Sequence, residues 1–487
     1  MRVKFKTLQS VVLYDYRYIF AYLIVGVFAL YFLAWRLGSL PNGLSSQELQ
    51  MAASSSALAD LMRFPLYPLH GILQWLSLHI FGVSAISIRL PSIMIAAATV
   101  VILYNLLKKW FGRVTSLLTA AFLLSADWFL FIARSGTGAI EFSFWFSLLL
   151  LSMMKLIENK PKWLIGYGIS SALLLFSPFG IYAVLTSTVC LWSCVMFRKR
   201  ASEAPLSVKV VAATALALAL SIIVALGIKE PLFIKSLLGI SELPTPFLFM
   251  KNMVLNASGV AMIWPDNNPL LGPTGIFLIR FVEFIFMLFG VIMLWVTRVN
   301  RLNLVVLASA GVLALASGLS SDTRGGSLLI VPAVIFFTCG LRHFIHRWQR
   351  TFPKNPYARV ALYIPLTIML LSATVLHYQS YFVLWPRQTD TNKVYLQDYR
   401  LLKNELSKSG TCWVYDAPSY YETLIKTEEP VCETSFATST ALVEPPAGVR
   451  AITKTPSQAP ITRNATSPRA LTSGTQQSNV RWLVYQL

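Results

Sequence analysis

The sequence predicts an all-α polytopic membrane protein of about eleven transmembrane helices, followed by a small α/β domain outside the membrane. Three observations predict it. Of 487 residues, 55% are hydrophobic and only 13% charged, whereas soluble domains average about 25% charged; mean hydropathy is +0.61. Apolar stretches recur along the chain, separated by Pro, Gly and charge clusters. The excess of bases, 41 Lys and Arg against 21 Asp and Glu, falls mostly on alternate connections. This composition excludes a disordered chain and an ordinary nucleic-acid-binding domain, so no nucleic-acid partner is expected.

A helix crossing about 30 Å of hydrocarbon needs roughly 20 mostly apolar residues. Eleven stretches qualify as candidates, near 18–36, 88–107, 114–133, 140–157, 163–177, 179–197, 209–228, 276–296, 303–319, 327–344 and 359–377. The first ends in Ala34-Trp35-Arg36 without a small-residue cleavage site, which reads as a span and not a cleaved signal peptide.

With the N-terminus in the cytoplasm, the basic clusters Arg2-Lys4-Lys6-Arg17, Lys108-Lys109-Arg113, Lys155-Lys160-Lys162, Arg198-Lys199-Arg200-Lys209, Arg298-Arg301 and Arg342-Arg347-Arg350-Lys354-Arg359 all become cytoplasmic. They are opposed there only by Asp15, Glu158 and Glu203, so most of the net charge of +20 is a positive-inside signal. An odd number of spans places the C-terminus outside. The expected organisation is a membrane domain over 1–377 with long outer loops at 37–87 and 229–275, and an extracytoplasmic domain over 378–487. The cytoplasmic loops are short, so the function belongs at the outer leaflet of a multi-pass plasma-membrane protein.

In the tail, 412–415 and 480–485 read as strands and 419–426 as a short helix. The Ser-, Thr-, Pro- and Ala-rich stretch 438–478 reads as a flexible linker. Cys412 and Cys432 are the only cysteines of this outer domain, and in an oxidising compartment a disulfide between them is expected, the alternative being two buried thiols. Neither has metal-ligand spacing with His.

Carboxylates near lipid are costly and therefore informative. Glu283 follows Arg280 by three residues, which predicts an ion pair, and Asp127 beside Trp128 is open to a structural or a functional reading. Glu48 lies in Ser45-Ser46-Gln47-Glu48-Leu49, just before an amphipathic stretch. An acid there either caps a helix or serves as a general base at the membrane surface. Arg63, Arg89, Arg134 and Arg324 are all predicted at the outer interface. Singly, each is a snorkelling anchor; together they fit a phosphate or pyrophosphate at headgroup level.

An ordered set of segments resembles the C-type (GT-C) membrane glycosyltransferases, in particular relatives of protein O-mannosyltransferases and of the lipid A aminoarabinose transferase. The set comprises Gln47-Glu48, Arg63-Phe64-Pro65-Leu66-Tyr67, Phe81-Gly82, Arg89-Leu90-Pro91-Ser92 and Phe129-Leu130-Phe131-Ile132-Ala133-Arg134. Asn267-Asn268-Pro269-Leu270, and Arg324 with Pro332, are weaker echoes. The resemblance implies transfer of a hexosyl or pentosyl group from a polyprenyl-phosphate carrier to a lipid, glycan or protein acceptor at the outer face, by inverting displacement. Glu48 would be the base, and Arg63, Tyr67, Arg89, Arg134, Glu141 and Arg324 the substrate-binding set. No cofactor is implied. A divalent metal stays open, although a lone carboxylate makes a poor Mg²⁺ cage.

Two departures stand out. The family's first loop acid is replaced by Gln47, and its acid after the third span falls at Ala139, with Glu141 the nearest carboxylate. The alternatives are therefore a non-catalytic relative or a lipid transporter on the same fold. A transporter would be expected to show internal repeats, and none is visible.

Overall fold

A computed structural model describes residues 17–240, 244–261, 281–297, 301–319, 327–427, 431–437, 449–453, 469–472 and 480–486. In chain order the helices are α1 (Arg17–Ala34), α2 (Ser46–Ser54), α3 (Leu58–Arg63), α4 (Pro68–Phe81), α5 (Ala85–Phe111), α6 (Arg113–Ser125), α7 (Asp127–Ala133), α8 (Ile140–Ile157), α9 (Trp163–Leu174), α10 (Gly180–Trp192) and α11 (Val195–Glu203). They continue with α12 (Leu206–Lys229), α13 (Pro231–Leu238), α14 (Pro246–Ala261), α15 (Phe281–Val296), α16 (Arg301–Ser317), α17 (Ile330–Thr351), α18 (Pro356–Ala361), α19 (Tyr363–Tyr378), α20 (Thr389–Val394), α21 (Asp398–Leu406) and α22 (Ser419–Thr427). The strands are β1 (Thr411–Tyr415), β2 (Glu433–Ala437), β3 (Arg450–Thr453), β4 (Arg469–Thr472) and β5 (Val480–Gln486).

Each of the eleven predicted stretches holds an apolar helix. Among the described residues, five helices are long and apolar enough to cross a membrane, or up to seven if two bent pairs each count as one span. The pairs are α6 with α7, bent by 65° at Ala126, and α10 with α11, bent by 93° after Trp192. The others are shorter apolar helices. Helix length alone therefore supports five to seven crossings where the hydropathy pattern predicts eleven. The expected outer loop 229–275 is also more structured than anticipated, since α13 and α14 lie in it.

The chain divides into two compact units. The first comprises 1–35, 64–70 and 92–385. Its tightest pairing, α15 on α17, is made by small residues: a Cβ on Gly290 would strike the Phe336 carbonyl, and one on Gly340 the Phe286 carbonyl. Such close backbone approach is how helices associate where no hydrophobic drive separates them from lipid.

The second unit comprises 36–63, 71–91 and 386–487, which departs from the expected boundary at 377. The reason is a shared core. Leu49, Ala52 and Ala53 of α2, Leu78 of α4, and Val83 and Ile88 pack with Tyr399, Leu402 and Leu406 of α21, Val414, Tyr421, Leu424 and Trp482. A backbone bridge joins Leu44 to Leu396, and Trp482 donates its indole N–H to the Asp398 carbonyl at 3.0 Å.

The sheet order is β2-β1-β3-β5-β4, with β1 parallel to β2 and β3, and β5 antiparallel to β3 and β4. Strands β3 and β4 fall inside 438–478, so that segment contributes to the sheet and is not wholly a linker. A disulfide joins Cys412 and Cys432.

Candidate functional site

Glu48 is fixed by local sequence and by one distant partner. Ser45 is the N-cap of α2: the Glu48 amide donates to Ser45 Oγ at 3.2 Å, and the Ser45 amide donates back to Glu48 Oε2 at 3.0 Å, a complete capping box. Arg89, on the first turns of α5, donates from Nε to Oε1 at 2.8 Å and from Nη2 to Oε2 at 3.1 Å. Its remaining donors go to backbone carbonyls of Leu37, Leu40, Pro41 and Gly43 at 2.7–3.4 Å. Gly43, at φ +132°, is required here, because a Cβ would meet the Tyr395 and Leu396 carbonyls at 2.7 Å.

Both side chains are essentially inaccessible, Arg89 at 0% and Glu48 at 1%. Both carboxylate oxygens of Glu48 are engaged, by three hydrogen bonds from Ser45 and Arg89. The capping reading accounts for these contacts, and service as a general base would require the bidentate pair that holds loop 37–44 to open. Gln47, one residue earlier, is half-exposed, but its amide carries no basic group.

Arg134 is likewise buried and bonded to backbone through both of its Nη atoms. It is 2% exposed, donates to the Phe32 and Trp35 carbonyls at 2.8 and 2.6 Å, and lies over the Tyr381 and Phe382 rings at 5.1 and 5.0 Å. It ties the end of α1 to α7. Arg63, at the end of α3, is exposed. Arg324 lies outside the described residues, as do Asn267, Asn268 and the Arg280 half of the pair expected for Glu283.

Tyr67, Glu141 and His70 form one cluster. Glu141, in the first turn of α8, accepts the Leu69 and His70 amides at 3.1 and 2.8 Å and the Trp145 indole at 2.8 Å. These amides belong to the first turn of α4, so Glu141 caps that helix from another element, where the dipole favours an anion. Tyr67, buried and at φ +54°, packs on Gly138, where a Cβ would approach its ring to 3.0 Å. His70 Nε2 shares a 3.0 Å hydrogen bond with Ser92 Oγ, and burial pushes the His70 imidazole down to about 3.

Sequence reasoning overlooked a further buried network. His377, in the last turn of α19, meets Asp127 Oδ1 through Nδ1 at 3.0 Å and Glu283 Oε1 through Nε2 at 2.6 Å. The Trp128 indole donates to Glu283 Oε2 at 3.3 Å. The signal was a histidine closing an otherwise apolar span, the position where a partnered polar group is expected. Among the described residues no set of three His, Cys, Asp or Glu is arranged to hold a metal ion.

Residues 65–228 match the sequence profile of the dolichyl-phosphate-mannose-protein mannosyltransferase family. No curated protein matches the sequence. Among solved structures, the chain is similar to ArnT from Cupriavidus metallidurans bound to undecaprenyl phosphate, with a TM-score of 0.59 and 12% identity over 97% of this chain and 98% of that one. The apo state of the same protein gives a TM-score of 0.57. The oligosaccharyltransferase of Archaeoglobus fulgidus, tethered to an acceptor peptide, gives 0.54 at 12% identity, over 85% of this chain and 63% of that one. The chain thus has the fold of the C-type membrane glycosyltransferases.

Proposed function

We propose that this chain is a multi-pass membrane glycosyltransferase that moves a sugar from a polyprenyl-phosphate carrier to an acceptor at the outer face of the membrane. The observation that carries the reading is agreement over nearly the full length of both chains with a structure bound to such a carrier phosphate; the mannosyltransferase profile over 65–228 supports it. The acceptor hydroxyl oxygen attacks the anomeric carbon, the bond from that carbon to the carrier phosphate oxygen breaks, and the hydroxyl proton passes to the departing phosphate or to water. The charge developing on that phosphate is met by Arg63 and Arg324, since Arg89 and Arg134 are committed to carbonyls and to Glu48. Glu48 and Arg89 hold the loop, and Tyr67 with Glu141 fixes the start of α4. The orientation follows the basic clusters, with the N-terminus in the cytoplasm and the C-terminus outside.

A second reading is favoured by one specific observation. Gln47 replaces an acid, and the adjacent Glu48 has both oxygens occupied, as a carrier-binding relative without transferase activity would have it.

Purified protein supplied with radiolabelled hexosyl and pentosyl polyprenyl phosphates separates the two. Transfer or carrier hydrolysis, reduced at least tenfold in Arg63→Ala, is expected for the enzyme. Saturable carrier binding without turnover would establish the second reading, and neither binding nor turnover would refute both.

A further inference from the structure

We infer that the second unit holds a binding site for the phosphorylated headgroup of an amphiphile, in a cavity formed by loop 38–44, turn 83–86 and helix α21. The cavity is about 310 Å³, within the size range of small-molecule sites. Arg400, Lys403 and Asn404 stand at i, i+3 and i+4 on α21, one face of the helix, and all three line it together with Asn42 and Gln397.

The lining therefore carries two cations and three amides. Among the described residues it contains no carboxylate. The nearby acid Glu405 is engaged elsewhere, with Lys408 at 2.6 Å and Arg450 at 3.3 Å, and Arg400 makes no ion pair among the described residues. A concave surface of one charge sign concentrates ligands of the other. A phosphate monoester, bearing about −1.5 to −2 near neutral pH, matches two cations better than a carboxylate does.

The amphiphilic part of the inference comes from the adjoining cavity. About 510 Å³ in volume, it shares Val83 and Lys403 with the first and is walled by Leu78, Leu406, Ile425 and Val431. Lys403 Nζ donates to the Val83 carbonyl at 2.8 Å, which fixes the ammonium at the junction. A ligand with its phosphate between Arg400 and Lys403 thus has an apolar cavity immediately beyond for its tail. Gly43 and Leu44 line the same site, so an occupant rests on the loop that Arg89 and Glu48 hold and stabilises the folded unit.

The site binds independently of sugar transfer, so its test uses no donor. Full-length protein in a neutral detergent is titrated with dihexanoyl phosphatidic acid, with glycerol 3-phosphate, which lacks tails, and with dihexanoylglycerol, which lacks phosphate. Binding is read by native mass spectrometry and by the thermal midpoint. Phosphatidic acid is expected to bind tightest. Arg400→Gln, at an exposed position, should weaken it about tenfold, as loss of a charge-assisted contact does. Val431→Asp, at the exposed rim of the apolar cavity, should weaken phosphatidic acid and leave glycerol phosphate unchanged.

Equal binding by wild type and Arg400→Gln would overturn the inference, as would dihexanoylglycerol binding as tightly as phosphatidic acid. Glycerol phosphate binding as tightly as phosphatidic acid would reassign the site to a soluble phosphate. Loss of binding in Arg63→Ala but not in Arg400→Gln would assign the lipid to the donor site and sink the inference while leaving the proposed transferase standing.

Discussion

Replacing Glu48 by Gln separates an anchor from a base. The variant keeps the shape of the side chain but removes the charge that balances Arg89, which is 0% exposed. Breaking a buried ion pair by neutralising one partner costs about 3–5 kcal/mol, because the other charge is left uncompensated. The lost acceptor for the Ser45 amide falls within that figure. In a unit of roughly 150 residues, where 1 kcal/mol moves the midpoint by about 2–4 °C, the thermal midpoint should drop by roughly 6–20 °C. Fluorescence of Trp482, fully buried in the same core, reports on this unit. An unchanged midpoint in Glu48→Gln, together with abolished transfer, would refute the anchor and restore Glu48 as the base.

Three further outcomes are expected. His377→Ala strands Asp127 and Glu283 in the interior of the first unit, and should lower its stability by about 3–5 kcal/mol; a change below about 1 kcal/mol in detergent-titrated unfolding would mean that the network contributes little. Reducing the Cys412–Cys432 bridge, which closes a sequence separation of 20 residues, should cost the second unit about 3 kcal/mol in urea unfolding if chain entropy governs it, and no shift would reject that account. His70 is held neutral by burial, its folded value pushed down to about 3 from an ordinary 6.5. The unfolded chain therefore binds the extra proton between those values, and stability present above pH 6.5 is lost as the pH falls toward 3, by up to about 1.4 kcal/mol per unit. His70→Gln should flatten that slope, and an equally steep profile would remove His70 as its source.

How much of this was legible in the sequence varies with the range of the interaction. The apolar helices follow from composition over about 20 residues, a local property. The cap of α2 was also legible, since Ser45 and Glu48 lie three residues apart. What the sequence left undecided was whether Glu48 was free, because that depends on Arg89, 41 residues away. The two units divide the chain otherwise than at 377 for a similar reason: the apolar positions Leu49 and Ala53 read equally well as a membrane-surface stripe or as a core face, and only contact with α21 and β1 decides. His377 was passed over because a single histidine in a hydrophobic stretch carries no signal until its two carboxylates, 94 and 250 residues away, are brought to it.

The same long-range contacts divide the arginines by task. A guanidinium offers five N–H donors in a fixed fork. In Arg89 these are distributed over Glu48 and four carbonyls, and the ring of Tyr395 lies 6.0 Å from its carbon. A carrier phosphate approaching Arg89 would have to displace hydrogen bonds to a charged group, each worth about 1.5–3 kcal/mol, and would release the loop by doing so. Arg134 faces the same exchange against Phe32 and Trp35. Binding a leaving group through either residue would therefore be coupled to loosening of the segment it anchors, whereas Arg63 stands at an exposed position at the end of α3. Burial therefore bears on the task of each base as much as its position in the sequence does: Arg89 and Arg134, both in motif-like segments, are buried and hydrogen-bonded to backbone carbonyls.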